Sequence, residues 1–393
     1  MLLRNPLRIQ SLYVKHTRKN NTWSTLPFEE VVAMTQGLRS GAVTRRQWHG
    51  SALGLVVSLV CTGVLLERAL PTAAPPSMPL EPPAAAPQEP ITPILLSLAF
   101  DPPRVALGER LFHDVRLSDD NARACTLCHP LERGGMDGQS HARTAHGTIF
   151  LRNTPTLFNV GLNAALNWDG LATTLEVHAE IDLLHPSLMN TTWSDLLAKL
   201  QADADYVTRF TTVYAGGLTP ATVVDALASF ERSLLTPNAR FDRYLRGELQ
   251  ALTVPEQQGY RLFKSFGCVA CHQGRNIGGN MYQKFGIFAA PGGVGSPAAV
   301  VDVGRYVVTK VARDREVFRV PSLRNVAVTA PYFHDGREPT LEGAVDTMAR
   351  VQLGRTLTPE QMGLIVQFLQ TLTGDYHGRP VATSAQEHRD GDE

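Results

Sequence analysis

Apolar positions in the middle and last part of the chain recur at helical spacing. Val223, Val224, Leu227, Phe230 and Leu234 share one face of a 3.6-residue period. Thr219-Pro220 just before them supplies an N-cap and a proline at the first helical position. The device is repeated where Thr358-Pro359-Glu360 precedes Leu364, Ile365, Phe368, Leu369 and Leu372, with Gly374 placed to end that helix. No long alternation of apolar and polar residues competes, so the predicted class is mainly α, with irregular loops. A weak internal repeat runs through this pattern: Gly108-Glu109-Arg110-Leu111-Phe112 and Gly259-Tyr260-Arg261-Leu262-Phe263. Each reads as the end of an amphipathic helix, and duplication of one unit accounts for both. The predicted domains are 95–240 and 245–375.

The ends of the chain read differently. Ser51 to Leu66 is an apolar run of about one short membrane span, with Arg45-Arg46 before it and Glu67-Arg68 after it. Residues 1–70 therefore form a leader whose apolar segment, 51–66, is either a signal peptide or a membrane anchor. The basic flank leaves the N-terminal end in the cytoplasm and sends the remainder across the membrane. Residues 71–93 are rich in Pro and Ala and read as an extended tether, so packed sequence is expected from about Ile94. Residues 377–393 are polar and read as a loose tail.

A length of 393 residues fits two domains plus this extra sequence. Lys plus Arg and Asp plus Glu number 37 each, which gives no overall charge to attract nucleic acid or an anionic membrane. Cysteine carries more. Four of the 5 cysteines lie in Cys125-Thr-Leu-Cys128-His129 and Cys268-Val-Ala-Cys271-His272, and Cys61 lies in the leader. A redox C-x-x-C needs a βαβ setting and a zinc site needs further ligands. Here a His follows each second Cys directly, so two thioether bonds can fix a porphyrin while the imidazole binds its iron. Two covalent c-type haems are predicted, one per domain. Their attachment outside the bacterial cytoplasmic membrane agrees with export to the periplasm, either free or tethered by the N-terminal segment.

The remaining axial positions decide the chemistry, because an iron with one protein ligand is open to peroxide and one with two is closed. After His272 the candidates are Met281, in a Gly-rich loop, Met348, and Met362, in the last helix. Position favours Met348 without deciding the matter.

Longer motifs bear on this choice. Phe318-Arg-Val-Pro-Ser-Leu-Arg-Asn325, Thr329-Ala-Pro331-Tyr332-Phe333-His334-Asp335-Gly336 and Met348-Ala-Arg-Val-Gln352-Leu353 resemble the bacterial di-haem cytochrome c peroxidase family, which includes the MauG-type enzymes. Arg152-Asn153-Thr-Pro155-Thr-Leu-Phe-Asn159 and Trp168-Asp169-Gly170 match the same family in the first half. The resemblance implies that His129 is the proximal ligand of a peroxide-reducing haem, and that His272 and Met348 ligate a second haem that receives electrons from a small cytochrome c or cupredoxin. MauG-type proteins carry Tyr where Met348 stands, so this Met favours the peroxidase branch. The resemblance also implies an electron-relaying indole at Trp168, and a calcium ion held by Asn153 with the backbone carbonyls of Thr329 and Pro331. It further implies a resting distal ligand at His146, with His141 as rival, and often a homodimer.

The pattern departs from the family at the distal pocket. The family places a Glu directly before a Met and a Gln ten residues after the tryptophan; counting from Trp168, these positions hold Leu188, before Met189, and His178. His178 is a candidate acid–base group because imidazole titrates near neutral pH, with Glu176, Glu180 and Asp182 nearby; a satisfied helix residue is the plain alternative. Three functions follow: reduction of hydrogen peroxide, MauG-like oxidation of a partner protein, or, given Leu188, a non-enzymatic electron carrier or redox sensor.

Overall fold

Helix starts in this chain are set by side chains that close the free backbone N–H groups of the first turn. Asp101 accepts from Arg104 N ahead of α1, Pro102–Phe112. Thr219 and Thr222 form a capping box at α5, Pro220–Ser233, as do Thr253 and Glu256 at α7, Val254–Ser265, and Thr358 and Gln361 at α10, Pro359–Gln370. Between α1 and α5 lie α2, Leu175–Leu184, α3, Trp193–Gln201, and α4, Ala204–Val213. The later helices α6, Arg240–Leu245, α8, Tyr306–Thr309, and α9, Leu341–Thr347, are short. This computed structural model describes residues 89–142, 150–290 and 302–382. The apolar segment 51–66, the linker up to residue 88 and His146 lie outside them. No helix among the described residues is long and apolar enough to cross a membrane.

The class is mainly α. Strands among the described residues are confined to two antiparallel pairs, Tyr282–Lys284 with Val317–Arg319 and Asp375–Tyr376 with Arg379–Pro380. All of this belongs to one compact unit, Glu81–Glu393, which contains two hydrophobic clusters. One is built from residues such as Leu111, Phe112, Leu196, Phe210, Leu227 and Phe230. The other is built from Phe241, Tyr260, Phe263, Ile365, Phe368 and Leu369.

The repeated sequence motif has a structural reason. In α1, a Cβ on Gly108 would lie 2.0 Å from the Ala226 carbonyl oxygen and 2.8 Å from Phe230 Cβ of α5. In α7, a Cβ on Gly259 would lie 2.0 Å from the Leu364 carbonyl oxygen and 2.9 Å from Phe368 Cβ of α10. Two helix pairs therefore cross by the same device, a glycine notch that admits the backbone of the partner helix. The Leu-Phe that ends each motif packs into the core beside the crossing.

Three boundaries differ from the sequence reading. Packed chain starts before Ile94: Ile91 is buried in the second cluster, and Glu89 accepts from the Tyr260 hydroxyl and pairs with Lys264. A Pro-rich stretch needs one apolar anchor to be held, and Ile91 is that anchor. At the other end, Tyr376 and Val381 pack on the first cluster, so the tail is held as far as Val381. Gly374 does not end the last helix, which stops at Gln370 with Thr371 as its C-cap; a Cβ at Gly374 would instead lie 2.0 Å from the Thr236 carbonyl.

Gly259→Ala is expected to cost about 1–3 kcal/mol by overpacking the α7–α10 crossing. Gly363→Ala, in the same pair but with nothing within 4 Å of the added carbon, is expected to be neutral or stabilising. Thermal unfolding of the two variants checks this; equal stabilities would show that the notch is not what sets the crossing.

Candidate active site and haem cavity

The two C-x-x-C-H segments fold into the same turn. Cys125–Leu127 and Cys268–Ala270 are single 3₁₀ turns. In the first, the Cys128 and His129 N–H groups donate to the Cys125 carbonyl at 3.2 and 3.0 Å; in the second, Cys271 and His272 donate to the Cys268 carbonyl at the same two distances. Each His ring is then oriented through Nδ1, at 3.1 Å from Gly135 O for His129 and 3.3 Å from Ile277 O for His272. This leaves both Nε2 atoms for iron. Desolvation holds both rings toward the neutral form that ligates, with His272 pushed down to about 4. Burial raises the Cys128 and Cys268 thiols to about 11, opposite to the depressed range of redox-active thiols.

An apolar cavity of about 240 Å³ opens at the second turn. Its wall holds Cys268, Cys271 and His272, and also Met348, which begins a π-helical turn, Met348–Gln352, directly after α9. Such turns break helical register and commonly mark functional sites. Met281 and Met362 do not line this cavity, so of the three methionines Met348 is the one that shares it with His272. A planar, largely apolar group with anionic edges fits this wall, because the wall contains Arg319. That guanidinium is 5% exposed and has no carboxylate in ion-pair range among the described residues; desolvation pushes it down to about 10. A buried cation without an anion is costly, and a haem propionate is a suitable partner. Arg319 was not singled out by sequence, although an Arg inside the otherwise apolar Val317–Val320 run was a usable signal.

Trp168 lines the same cavity. It is 9% exposed, and its Nε1–H donates to the Asn153 carbonyl at 2.9 Å. The turn that carries it is held on each side. Asp169 accepts from Arg152 Nη1 at 2.6 Å, and Arg152 also pairs through Nε with Asp302 at 2.6 Å. Gly170, at φ +71°, leaves room for the Tyr282 hydroxyl. Asn153, Thr329 and Pro331 all line the cavity. Asn153 Nδ2 donates to Gln139 O at 2.6 Å, so Oδ1 is the atom left to bind a cation. The Thr329 and Pro331 carbonyls accept no hydrogen bond among the described residues. Three neutral oxygens of this kind suit calcium; no cluster of three or more His, Cys, Asp or Glu suited to a metal occurs among the described residues.

Around the first turn the structure sorts the candidate acids. Glu176 accepts from Arg232 Nη2 at 2.5 Å and Glu180 from Trp193 Nε1 at 3.1 Å. Asp182 lies 3.3 Å from His178 Nδ1, and His178 Nε2 lies 2.8 Å from Asn167 Oδ1. The charges of Asp182 and His178 both act on the His129 ring. Leu188 is half-buried, beside buried Met189. His141 lies beside Ser140 Oγ at 3.1 Å on a loop that meets Gly336. Glu231 of α5, which sequence reading passed over within an ordinary helix face, is 7% exposed, and its Oε2 has no hydrogen-bond partner. Desolvation, with Asp182 and Glu176 adding to it, pushes this carboxyl up to about 8.

Comparison with known proteins agrees with these features. Residues 102–250 match the profile of the di-haem cytochrome c peroxidase family. Cytochrome c peroxidase Ccp of Escherichia coli K12 is 42% identical over 73% of this chain, which spans 62% of that protein's length. Cytochrome c551 peroxidase of Nitrosomonas europaea is 40% identical over 73% of this chain and 85% of its own. Among solved structures, a MauG-like protein associated with microbial copper homeostasis is similar over 74% of this chain and 95% of its own, at TM-score 0.63 and 27% identity.

A carboxyl whose folded value is raised binds its proton more tightly in the folded state, so its contribution to stability is complete below pH 4.5 and is lost as pH rises toward 8. Glu231→Gln removes that loss. Denaturation of wild type and variant at pH 5 and pH 8 is expected to show the variant gaining relative stability at pH 8, up to about 1.4 kcal/mol per pH unit crossed; a pH-independent difference would place Glu231 in an ordinary ionised state.

Proposed function

The chain belongs to the di-haem cytochrome c peroxidase family, and from that membership we propose that it reduces hydrogen peroxide to water with electrons from a small cytochrome c or cupredoxin in the periplasm. The observation that carries the reading is the shared cavity: His272, both Cys of the second motif, Met348 and Trp168 line one apolar space. Two covalently bound haems supply the redox chemistry when present, one to accept electrons and one to meet peroxide.

Each residue then has a task. His272 and Met348 would hold the electron-accepting group, and a thioether ligand would favour a high potential there. Trp168, a buried indole on the wall of that cavity, would relay electrons toward the first motif. His129, tied through Nδ1 to Gly135 O, holds the peroxide-reducing group from one side. His178 serves as the acid–base group, moving a proton from one peroxide oxygen to the other as the O–O bond breaks. The balance is one H₂O₂, two electrons from the donor and two protons, giving two H₂O. Asn153 Oδ1 with the Thr329 and Pro331 carbonyls would bind calcium and join the loop before Trp168 to the loop around His334, whose carbonyl already accepts from Asn153 N at 2.7 Å.

A second reading, MauG-like oxidation of a partner protein, draws on the similarity to a MauG-like structure and on Leu188, which makes the distal pocket less acidic. Met348 argues against it, since the MauG branch carries Tyr there.

The test is a stopped-flow assay of the holoprotein, reduced by one electron in the presence of calcium and mixed with peroxide and a reduced small cytochrome. Turnover well above that of free haem is expected, with His178→Gln lowering it about 10²- to 10⁴-fold. Turnover no faster than free haem would remove the peroxidase reading.

A further inference from the structure

Residues 303–316 form an outward loop that carries α8 and closes on itself, Arg305 N donating to Val317 O at 2.7 Å and Glu316 N to Val303 O at 3.0 Å. Its cations are nearly without counter-ions. Glu316 is taken by Lys284 at 3.1 Å, and Asp314 Oδ2 accepts from the Thr309 hydroxyl at 2.7 Å. Arg305, Lys310, Arg313 and Arg315 have no carboxylate in ion-pair range among the described residues. The chain that leads into the loop, 291–301, contains no acidic residue. In a protein whose Lys plus Arg and Asp plus Glu are equal at 37 each, this is a local excess of positive charge. The centre of the same face is apolar. Val307 and Val311 are 49% and 42% exposed, and Tyr306 carries Arg315 at 4.0 Å and Lys310 at 5.9 Å from its ring centre.

Arg305 ties this face to the electron-handling side of the molecule. Its Nη1 donates to the Asp169 carbonyl at 3.0 Å, next to Trp168. Its guanidinium also lies 3.9 Å from the centre of the Tyr282 ring, whose hydroxyl occupies the space above Gly170. Val317, which accepts from Arg305 N, begins the strand Val317–Arg319, and Phe318 and Arg319 line the cavity together with His272. The loop therefore backs onto both the turn that carries Trp168 and the strand that walls the cavity. An apolar centre with a charged rim, and Arg and Tyr among its members, is the anatomy of a protein interface. Its place behind Trp168 favours a redox partner over a lipid surface, for which that position has no use.

We propose that the α8 loop is the docking face for the electron donor, and that this donor is a small redox protein with an acidic patch around its exposed redox centre. The inference rests on the peroxidase reading for the destination of the electrons and narrows the class of partner that supplies them. Carboxylates of the donor meet Lys310, Arg313 and Arg315, and an apolar surface among them meets Val307 and Val311. Each encounter passes one electron from the reduced donor to the group held at His272, and the donor leaves oxidised. Two encounters supply the two electrons that each peroxide consumes, and no bond forms or breaks at the face itself. Redox encounters of this kind use small interfaces, so the charges act mainly on the rate of association.

The test reads electron entry without peroxide, so that it stands apart from turnover. Oxidised holoprotein with calcium is mixed in stopped flow with one of two reduced probes of similar size and potential, an acidic cupredoxin or a basic cytochrome c. The acidic probe is expected to reduce the His272 haem faster at low salt and to lose that advantage at high salt. The double variant Lys310→Glu, Arg313→Glu changes two exposed side chains. It should lower the rate with the acidic probe about 10- to 100-fold at low salt and leave reduction by neutral hydroquinone unchanged. Titration with the zinc-substituted, redox-inactive cupredoxin, followed by NMR, should show a matching loss of binding. A basic probe that is faster overturns the inference, as does a double variant with the wild-type rate. A variant that keeps its rate with the acidic probe but no longer binds phosphatidylglycerol vesicles also overturns it and marks the face as a lipid contact. Salt-dependent electron entry from the acidic probe in a protein that does not turn over peroxide would support the docking face while removing the peroxidase reading.

Discussion

A group bound through two thioethers and one imidazole can be placed only as firmly as the turn that carries all three, and in this chain that turn depends on a helix crossing with no side chain at its centre. Gly108 against Ala226 and Gly259 against Leu364 bring α1 onto α5 and α7 onto α10 at the same close approach. The second turn follows α7 directly, after Gly267, and both turns close with the same pair of backbone hydrogen bonds. Any Cβ in the notch would push against backbone, which has nowhere to move. The repeated Gly-x-Arg-Leu-Phe motif is thus a packing constraint, and the similarity of the two turns follows from it.

What was legible in the sequence was local. Thr-Pro pairs cap α5 and α10 as their composition dictates, and the apolar faces of both helices are buried as their spacing requires. Adjacent Cys and His residues identified the turns. The rest depends on contacts between distant residues. Spacing could not separate Met348 from Met281 or Met362, because the distinction is which of them lines the same cavity as His272. Arg319 and Glu231 look unexceptional in sequence and become informative only through burial, Arg319 without a carboxylate in ion-pair range among the described residues and Glu231 with an oxygen that has no hydrogen-bond partner. Ile91 and Val381 sit in stretches whose average composition reads as loose, yet one buried apolar side chain in each holds the segment.

The two turns differ in their surroundings. At the second, Met348, Arg319 and aromatic side chains give an apolar wall with one buried cation, suited to holding a group closed on both faces. Around the first, the neighbours are titratable side chains, His178, Asp182 and Glu231. Arg319 connects the two regions, since it lines the cavity and holds the Asn167 carbonyl, whose side chain in turn meets His178. One buried guanidinium therefore links the cavity at the second turn to the Asn167–His178 contact.

The central claim is that only the His129 side is open to a small ligand. Cyanide titration of the holoprotein, reduced by one electron with calcium present and followed by optical spectra, tests it most directly. The account predicts one cyanide bound per chain, with the spectrum of the His272–Met348 centre unchanged. Two cyanides per chain, or one bound at the His272 centre, would contradict it.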